Sequence, residues 1–558
     1  MRKKVFSVLL VLTMLATMVS AYAEAAAPQK FDNVELTLLN CWNGALKHPS
    51  DLYNNEVAKA IREKTGVTVT IEGIMMSETE KLNLLFASGD MPDIIDAPYW
   101  GGNAGETAVI KKAAAEGMLI AVEDLVPNYP NLKDAFDVGV ISQAFLENDI
   151  DDPSFGGHRY VIPVETPGDE ANITNWAYGV FVRGDVPKAL GVDVADIKTS
   201  EQLYDFMVKA RDYGFKDVNG NDTIVATTYH EGWDYGRYAE SFNEKKLTDY
   251  FNKDENGKIT LDALTDKFIN KHMFLWKLVN ENLLDKECFK QNDAQADEKV
   301  GNGTALFAAA QYSVIVNSTK LTGLYTSNPE MRYIPVGPMN YLDGTPLKQT
   351  EQMGRHGAHA FLITTACENP EAALAWLDYI NSEEGMRLCE YGIEGDTYEM
   401  NADGQPRLKE EWLTIKREGR DIYDEGLREK GIGYYLGGRF ISNSKLTWWG
   451  EREAGGADAA VQEIEDYKLL RPVERLAGYP LSSLVSTYKD YDAVMTEILD
   501  NETQKQYRER AYFANTEAEA LEILKSYQEM IRTKNVGMID GFLKYAQEMY
   551  DSREDAAY

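Results

Sequence analysis

The first part of the chain alternates short apolar runs with stretches that have helical periodicity. An apolar run at Val34–Leu39 precedes a helical pattern over about residues 54–63, and a second run at Val67–Ile71 precedes another helical pattern at 78–87. A third apolar run begins at Ile94. This β-α-β-α-β order predicts a doubly wound, mostly parallel sheet.

The junction between the second of these helices and the third strand carries clear stop signals. Gly89 can take the left-handed conformation that ends a helix, and Pro92 prevents its continuation. The strand then runs into Tyr99 and Trp100, in a loop that contains glycine. Because ligands of open α/β sheets bind beyond the carboxyl ends of the strands, we expect this loop to form one wall of a binding site.

Further strand and helix patterns follow this first sheet. A strand ends it at residues 160–163, and a second strand pattern at 176–183 predicts a crossover into another lobe. Thr199 is a capping residue for an amphipathic helix over 201–213. The stretch 481–550 predicts long amphipathic helices.

The length of the chain exceeds what a single hydrophobic core holds, since about 535 residues remain after a leader is removed. We predict an α/β protein with two lobes and extra C-terminal helices. The first lobe contains residues 30–165 and 345–405, and the second contains 166–344 and 406–558.

The N-terminus has the three parts of a secretory signal peptide. Basic residues at 2–4 precede an apolar run over 5–19, and an Ala-Tyr-Ala tripeptide ends at Ala23. Residues 1–23 therefore predict export to a periplasm or to the extracellular space, with an uncleaved anchor as the alternative. Because the first cysteine is Cys41, we expect no lipidated cysteine at the cleavage site.

The chain is strongly acidic, with 90 Asp and Glu against 57 Lys and Arg and a net charge of −33. Loss of the three basic leader residues would change this value to −36. Nucleic acid and anionic lipid are poor partners for such a chain. Four cysteines show neither metal-binding nor disulfide-rich spacing, which leaves one bridge and buried thiols both open: Cys41, Cys288, Cys367 and Cys389.

Three segments resemble signatures of one protein family: ASGDMPDII at 87–95, NPEAALAWLDYINSEEG at 369–385 and YGIEGDTYE at 391–399. This family contains the extracellular solute-binding proteins of family 1, which capture ligands for ABC importers. The chain is similar to its large carbohydrate-type members, including alginate-binding and lipoprotein-type relatives. The resemblance implies a periplasmic-binding-protein type II fold with hinge crossovers. It also implies a monomer that delivers an oligosaccharide to ABC permease subunits in the membrane.

Catalytic signatures are absent from the sequence. It contains no H-E-x-x-H, no G-x-S-x-G elbow, no Walker loop and no paired C-x-x-C. We therefore predict a binding protein that is not an enzyme and needs no cofactor. A secreted carbohydrate-active hydrolase remains an alternative, since its two carboxylates are paired in space and not in sequence. A peptide-binding protein of the same fold is another.

Aromatic residues recur at predicted strand ends and in glycine-containing loops. Sugar rings stack on Trp and Tyr, and their hydroxyl groups need polar partners, so a glycan site combines both. An arginine in such a loop can pair with the carboxylate of an acidic sugar. Packing in the core is the alternative for each aromatic. The predicted ligand-binding residues are Trp42, Asn43, Tyr99, Trp100, Trp176, Trp233, Tyr235, Gln311, Tyr312, Arg355, His356, Trp448 and Trp449.

One turn follows the D-x-N-x-N start of a calcium-binding loop. The large alginate-binding relatives hold calcium in a turn of this type. Here Asp222 replaces the expected glycine, and Val225 and Thr228 stand where acidic ligands are expected. A structural calcium ion and an Asx-rich turn both remain open. The predicted metal ligands are Asp217, Asn219, Asn221 and Thr223.

Overall fold

The computed structural model describes most of the chain between residues 30 and 557. The described residues are 30–42, 46–75, 78–99, 105–136, 146–164, 178–243, 251–254, 256–347, 349–351, 359–402, 404–435, 466, 469–470, 473–475, 479–481, 485, 488–490, 494, 501–533, 536–552 and 556–557.

The strands and helices alternate through the first 400 residues, and helices dominate the end of the chain. The strands are β1 Val34–Asn40, β2 Val67–Gly73, β3 Ile94–Pro98, β4 Ile162–Val164, β5 Tyr178–Arg183, β6 Ile224–Thr228, β7 Phe251–Lys253, β8 Ile259–Leu261, β9 Ala305–Gln311, β10 Tyr333–Pro335, β11 Gln349–Glu351, β12 His359–Ile363, β13 Tyr398–Met400, β14 Pro406–Leu408, β15 Val473–Arg475, β16 Tyr479–Pro480 and β17 Ala556–Ala557. The α-helices are α1 Glu56–Thr65, α2 Thr79–Ser88, α3 Gly105–Ala115, α4 Asp185–Leu190, α5 Ser200–Tyr213, α6 Asp266–Asn280, α7 Asp293–Gly301, α8 Tyr312–Asn317, α9 Thr319–Ser327, α10 Pro370–Ile380, α11 Glu383–Tyr391, α12 Glu410–Arg417, α13 Asn501–Tyr512, α14 Glu517–Thr533 and α15 Val536–Ser552.

The first sheet has the strand order β2-β1-β3-β12-β4. Strand β1 is parallel to β2 and β3, and β12 is antiparallel to β3 and β4. The carboxyl ends of β1, β3 and β4 therefore share one edge with the amino end of β12. Gly66 ends α1 with φ 73°, and a Cβ there would lie 1.8 Å from the carbonyl oxygen of Phe31, so only glycine fits this turn.

The second sheet has the order β10-β5-β9-β6. Strand β5 is antiparallel to β10 and β9, whereas β6 is parallel to β9. Because Tyr178 pairs with Gln311, the amino end of β5 lies at the same edge as the carboxyl ends of β9 and β6. The side chain of Thr199 caps α5 in a capping box with Gln202, as the sequence predicts.

Through the described strands, the chain passes between the two main sheets in both directions. The chain leaves the first sheet at the end of β4 and enters the second at the start of β5, and it returns from the end of β10 to the start of β12. Both connections join the strand-end edge of one sheet to the corresponding edge of the other. The chain therefore passes between the two sheets at the edges where these strands end and begin.

Residues of the stretch 406–435 pack against the first sheet and its helices. Leu413, Leu427 and Ile432 are buried in the same apolar cluster as the residues of β1, β2 and α1. The hydroxyl of Tyr434 bonds to both the N–H (3.0 Å) and the carbonyl (3.1 Å) of Ile71 in β2. The sequence could not indicate this return, because it depends on contacts between residues that are distant along the chain.

The C-terminal helices contact the second lobe. The indole N–H of Trp276 in α6 donates to the carbonyl of Ala514 at 3.0 Å, and Asn280 donates to the carbonyl of Tyr512 at 3.1 Å. The β7–β8 hairpin meets α15 through Gln547, which accepts from the N–H of Ile259 at 2.8 Å. One continuous apolar cluster also joins α14 and α15 to first-lobe residues.

All four cysteines are buried and unpaired: Cys41, Cys288, Cys367 and Cys389. The sequence left a disulfide bridge and buried thiols both open, and the structure shows buried thiols. Within the described stretches, no helix combines the length and apolar character needed to cross a membrane.

Candidate ligand-binding site

Three strands of the first sheet bring polar side chains together at its site edge. Asp96 in β3 is fully buried, and its carboxylate lies 2.9 Å from Nδ1 of His359 at the start of β12. The amide of Asn40, at the end of β1, lies 3.3 Å from the same carboxylate. A buried carboxylate needs such partners, so these contacts fix the relative positions of the three strand ends.

Trp42 lies directly after β1 at this edge and is half-buried. Its ring stacks on His359, with the ring centroids 3.8 Å apart and an interplanar angle of 24°. Its backbone N–H donates to Oδ1 of Asn40 at 2.8 Å. Asp96 thus holds His359, and His359 supports one face of the indole ring, an arrangement suited to presenting an aromatic surface.

The second sheet has a matching edge, which a 3₁₀ segment at His230–Phe242 crosses. The segment begins after β6 and ends at the start of α5, where the backbone N–H groups of Ser200 and Ser241 donate to each other's hydroxyls at 2.9 and 3.2 Å. Between these points the guanidinium of Arg237 lies 4.6 Å from the ring centre of Tyr178 in β5.

Arg237 is also held by two carboxylates of its own segment. Its guanidinium lies 3.2 Å from Glu240 and 3.5 Å from Asp234, and both acids are buried. Burial lowers the pKa of Arg237, but these carboxylates outweigh it and raise the pKa above its ordinary value. The second edge therefore presents a half-buried tyrosine beneath an arginine whose charge is compensated.

Two predicted site aromatics lie in the core, in contrast to the prediction of a cleft surface. Tyr99 is fully buried, and its hydroxyl donates to the carbonyl of Asp149 at 3.2 Å. Tyr312 is 3% exposed, and its hydroxyl donates at 3.0 Å to Asp466, which also pairs with Arg332 at 2.6 Å. In both cases the ring points inward, and an oxygen in the interior accepts a hydrogen bond from the tyrosine hydroxyl.

Three other predicted residues lie at or beside the site edges. Trp42 and Gln311 are half-buried at the edges of the first and second sheets. Tyr235 is half-buried in the 3₁₀ segment and packs between Phe289 and Tyr512, with centroids 5.4 Å away in each case.

The remaining predicted site residues fall outside the described part of the chain and stay predictions. This applies to Asn43, Trp100, Trp176, Arg355, His356, Trp448 and Trp449, and to the side chain of Trp233.

Sequence reasoning left site and core equally open for Tyr178, and its list of predicted site residues contains none of Asp96, His359 and Arg237. Asp96 had one signal, since it interrupts the apolar strand Ile94–Pro98 with a charge. Tyr178 and Arg237 are 59 positions apart along the chain, and their contact follows only from the path of the 3₁₀ segment. His359 has a polar partner that no local pattern identifies.

The residues of the D-x-N-x-N turn are engaged in internal hydrogen bonds. Oδ1 of Asp217 accepts from the backbone N–H of Asn219 and of Asn221, both at 2.8 Å, and Oδ2 accepts from the Asn221 amide at 3.1 Å. Thr223 donates its hydroxyl to the carbonyl of Phe215 at 3.1 Å. Thr228, at the position of the usual bidentate acid, is buried and donates to its neighbour's carbonyl.

These contacts are those of an Asx-rich turn, in which internal donors saturate the aspartate. Over the described residues, no group of three or more His, Cys, Asp or Glu side chains is arranged to hold a metal ion.

The two joined sheets and their facing edges define a two-lobed solute-binding protein. A profile of the bacterial extracellular solute-binding proteins matches residues 50–387, more than half of the chain, and the chain belongs to this family. The family and fold predicted from the sequence motifs are thereby confirmed. Members of this family are exported, substrate-binding components of transporters and not enzymes.

Two curated relatives are carbohydrate-binding proteins. The fructooligosaccharide ABC transporter substrate-binding protein FusA of Streptococcus pneumoniae is 26% identical over 362 residues, which cover 63% of this chain and 62% of that protein. The polygalacturonan/rhamnogalacturonan-binding protein YtcQ of Bacillus subtilis is 23% identical over 383 residues, 67% of this chain and 70% of that protein. The chain thus aligns with less than two thirds of the length of FusA.

Solved structures share the fold over almost the whole chain. The alginate-binding protein AlgQ2, crystallised without calcium ion, has a TM-score of 0.66 and 19% identity, and the match covers 95% of this chain and 100% of that chain. FusA of S. pneumoniae in complex with kestose has a TM-score of 0.63 and 19% identity, with 93% and 100% covered. At such identities the likeness concerns the fold alone.

Proposed function

We propose that this protein captures an oligosaccharide between its two lobes and delivers it to an ABC importer. The observation that carries the proposal is the pair of joined sheet edges, each with a supported aromatic ring. Trp42 rests on His359 at one edge, and Tyr178 lies beneath Arg237 at the other. Rings held in this way suit the flat C–H faces of sugars. The carbohydrate ligands in the names of FusA, YtcQ and AlgQ2 support the same class.

The mechanism follows from the position of the site. A ligand that contacts both edges makes its full set of contacts only when the lobes are closed, so its binding energy shifts the equilibrium toward the closed form. The permease subunits of an importer then distinguish the closed, loaded protein from the open one. The protein acts as a monomer outside the cytoplasm, with residues 1–23 removed on export.

Ligand-dependent thermal unfolding and calorimetry of residues 24–558 test this function. The ligands are neutral fructooligosaccharides, galacturonate oligomers and peptides. A ligand at about 1,000 times its Kd adds about 4 kcal/mol to the free energy of unfolding, which raises Tm by several degrees. We expect this rise with one carbohydrate class, and chromatography of the mixture should show the ligand unchanged.

Other outcomes would replace the proposal. Stabilisation by peptides alone would indicate a peptide-binding protein of the same fold. Slow cleavage of the sugar would indicate a hydrolase, although Asp96 at the first edge is buried and engaged by His359 and Asn40.

We infer further that this chain captures its ligand without calcium at the 217–223 turn. One similar structure is that of AlgQ2 without calcium ion, and another is that of an EF-hand mutant of FusA. In this chain, internal hydrogen bonds engage both oxygens of Asp217. The Tm and the carbohydrate affinity should be equal in excess calcium and in chelator. A calcium-dependent Tm that Asp217→Asn abolishes would contradict this inference and leave the carbohydrate proposal intact.

A further inference from the structure

One arginine next to the second site edge makes no hydrogen bond or ion pair within the described part of the chain. Arg508 lies in α13, which packs on α6, and α6 in turn packs on the 3₁₀ segment: Phe274 contacts Phe242 at 4.9 Å and Lys271 contacts Asn243 at 2.6 Å. The guanidinium of Arg508 lies 5.8 Å from the ring centre of Tyr235 in that segment. Arg508 therefore lies beside the segment that crosses the site edge.

The surroundings of Arg508 are aromatic. Tyr235, Tyr512 and Tyr527 act on the guanidinium, as does the carboxylate of Glu509, its neighbour on the helix. The side chain is half-buried, and its Nε is inaccessible and lacks a hydrogen-bond partner. Among the described residues Arg508 makes neither a hydrogen bond nor an ion pair.

Other shielded arginines of the second lobe are paired, which sets Arg508 apart. Arg237 contacts Asp234 and Glu240, Arg332 contacts Asp466 at 2.6 Å, and Arg183 contacts Asp185 at 2.8 Å. A guanidinium keeps its charge at all physiological pH values, and withdrawing it from water without a partner costs free energy. The chain has 90 acidic residues, yet among the described residues none forms an ion pair with Arg508.

We propose that Arg508 binds the carboxylate of an acidic sugar unit, so that the captured oligosaccharide contains uronate residues. The inference rests on the proposed function and specifies its ligand. The planar guanidinium fork matches a carboxylate through two parallel hydrogen bonds. Because the net charge of the protein repels an acidic ligand at long range, a local cation of this kind is what would make uronate binding favourable.

Calorimetry with matched ligands and variants tests the assignment. The ligands are tetragalacturonate, its methyl ester and a neutral fructo-tetrasaccharide, and the variants are Arg508→Gln and Arg508→Lys. Arg510→Gln is the control, since Arg510 is exposed on the same helix and lies over Tyr507 at 5.5 Å. Loss of a charge-assisted hydrogen bond should weaken tetragalacturonate binding by about 10- to 100-fold in Arg508→Gln, and less in Arg508→Lys.

The neutral sugar should bind the wild type at least about 10-fold more weakly than tetragalacturonate, and Arg510→Gln should bind like the wild type. Equal binding of tetragalacturonate by wild type and Arg508→Gln would overturn the assignment. The methyl ester tests it without any substitution, because it should bind the wild type as weakly as the free acid binds Arg508→Gln. A wild type that prefers neutral sugar would refute the uronate assignment and leave carbohydrate capture standing, whereas binding of no carbohydrate would refute the proposed function itself.

Discussion

At the scale of single residues, the candidate site depends on one aromatic ring that a buried polar pair supports. We expect Trp42→Ala to lower oligosaccharide affinity by about 10-fold, because the ligand loses a stacking surface at the first edge. Isothermal titration calorimetry measures this change. Trp412→Phe is the control, since Trp412 lies in α12 and packs on the apolar cluster of the first lobe, and this variant should bind as the wild type does. An unchanged affinity in Trp42→Ala would place the ligand elsewhere.

The four cysteines give a second prediction at this scale. Burial raises the pKa of Cys367 to about 11 and raises the pKa values of Cys41, Cys288 and Cys389 well above the ordinary thiol range. The reactive thiolate is therefore scarce and inaccessible in the folded protein. Ellman's reagent should find no reactive thiol in the native protein and four in denaturant without reductant. Fewer than four would reveal a disulfide.

At the scale of elements, the stretch 421–435 completes the first sheet by covering its edge strand. Tyr434→Phe should lower the free energy of unfolding by about 1–3 kcal/mol, because it leaves the N–H and the carbonyl of the buried residue Ile71 without a partner. Urea denaturation measures the loss. Tyr435→Phe, which removes a single bond to the carbonyl of Leu52, should cost less. If both variants lost the same free energy of unfolding, the hydroxyl of Tyr434 would not be what satisfies the edge strand β2.

The segment 146–155 is held on α3 by a cluster of charges that predicts a pH dependence. Burial raises the pKa of Asp152, but the charge of Lys111 at 2.8 Å and hydrogen bonds from Lys111 and Ser154 outweigh it and lower the pKa below its ordinary value. The stability from this carboxylate is therefore complete above the unfolded-state pKa of about 4 and is lost as pH falls through the lower folded-state value.

Asp152→Asn should accordingly lose roughly 1.5–3 kcal/mol of the free energy of unfolding at pH 7 and less below pH 4, where the wild-type carboxylate is also neutral. Urea denaturation at several pH values measures both differences. A loss that does not change with pH would assign the effect to packing.

Sequence patterns predicted the local elements well because the chain marks them locally. The predicted strand at Val67–Ile71 and helix at 201–213 differ by one or two residues from the observed Val67–Gly73 and Ser200–Tyr213. Glycine and capping side chains mark those ends. Sequence patterns failed where contacts between distant residues determine the structure. Tyr434 bonds to Ile71, which is 363 positions away along the chain. Tyr99 follows the end of a strand, yet its side chain is buried in the core. Arg508 carries no local signal of its place beside Tyr235.

At the scale of the whole molecule, the lobes meet at more than the crossovers. Gly323 in α9 of the second lobe approaches Gly419, at the end of the first-lobe helix α12, so closely that a Cβ on Gly323 would lie 2.9 Å from the Cα of Gly419. The C-terminal helices pack on the second lobe and share an apolar cluster with the first. The lobes are therefore in direct contact outside the crossovers as well.

The overall charge gives the last prediction. A net charge of −33 opposes the compact state through repulsion between like charges, whereas the exposed ion pairs contribute little individually. Raising NaCl from about 0.01 to 0.1 M shortens the Debye length from about 30 to about 10 Å, which screens the long-range repulsion more than the short contacts. We expect Tm to rise by about 1 °C, which corresponds to about 1 kcal/mol in a chain of this size. The same addition at pH 5, where more carboxylates are neutral, should produce a smaller rise. Differential scanning calorimetry measures both changes. A fall in Tm at pH 7 would contradict the prediction. It would mean that surface ion pairs outweigh the repulsion and that the acidic excess is spread too widely to oppose folding.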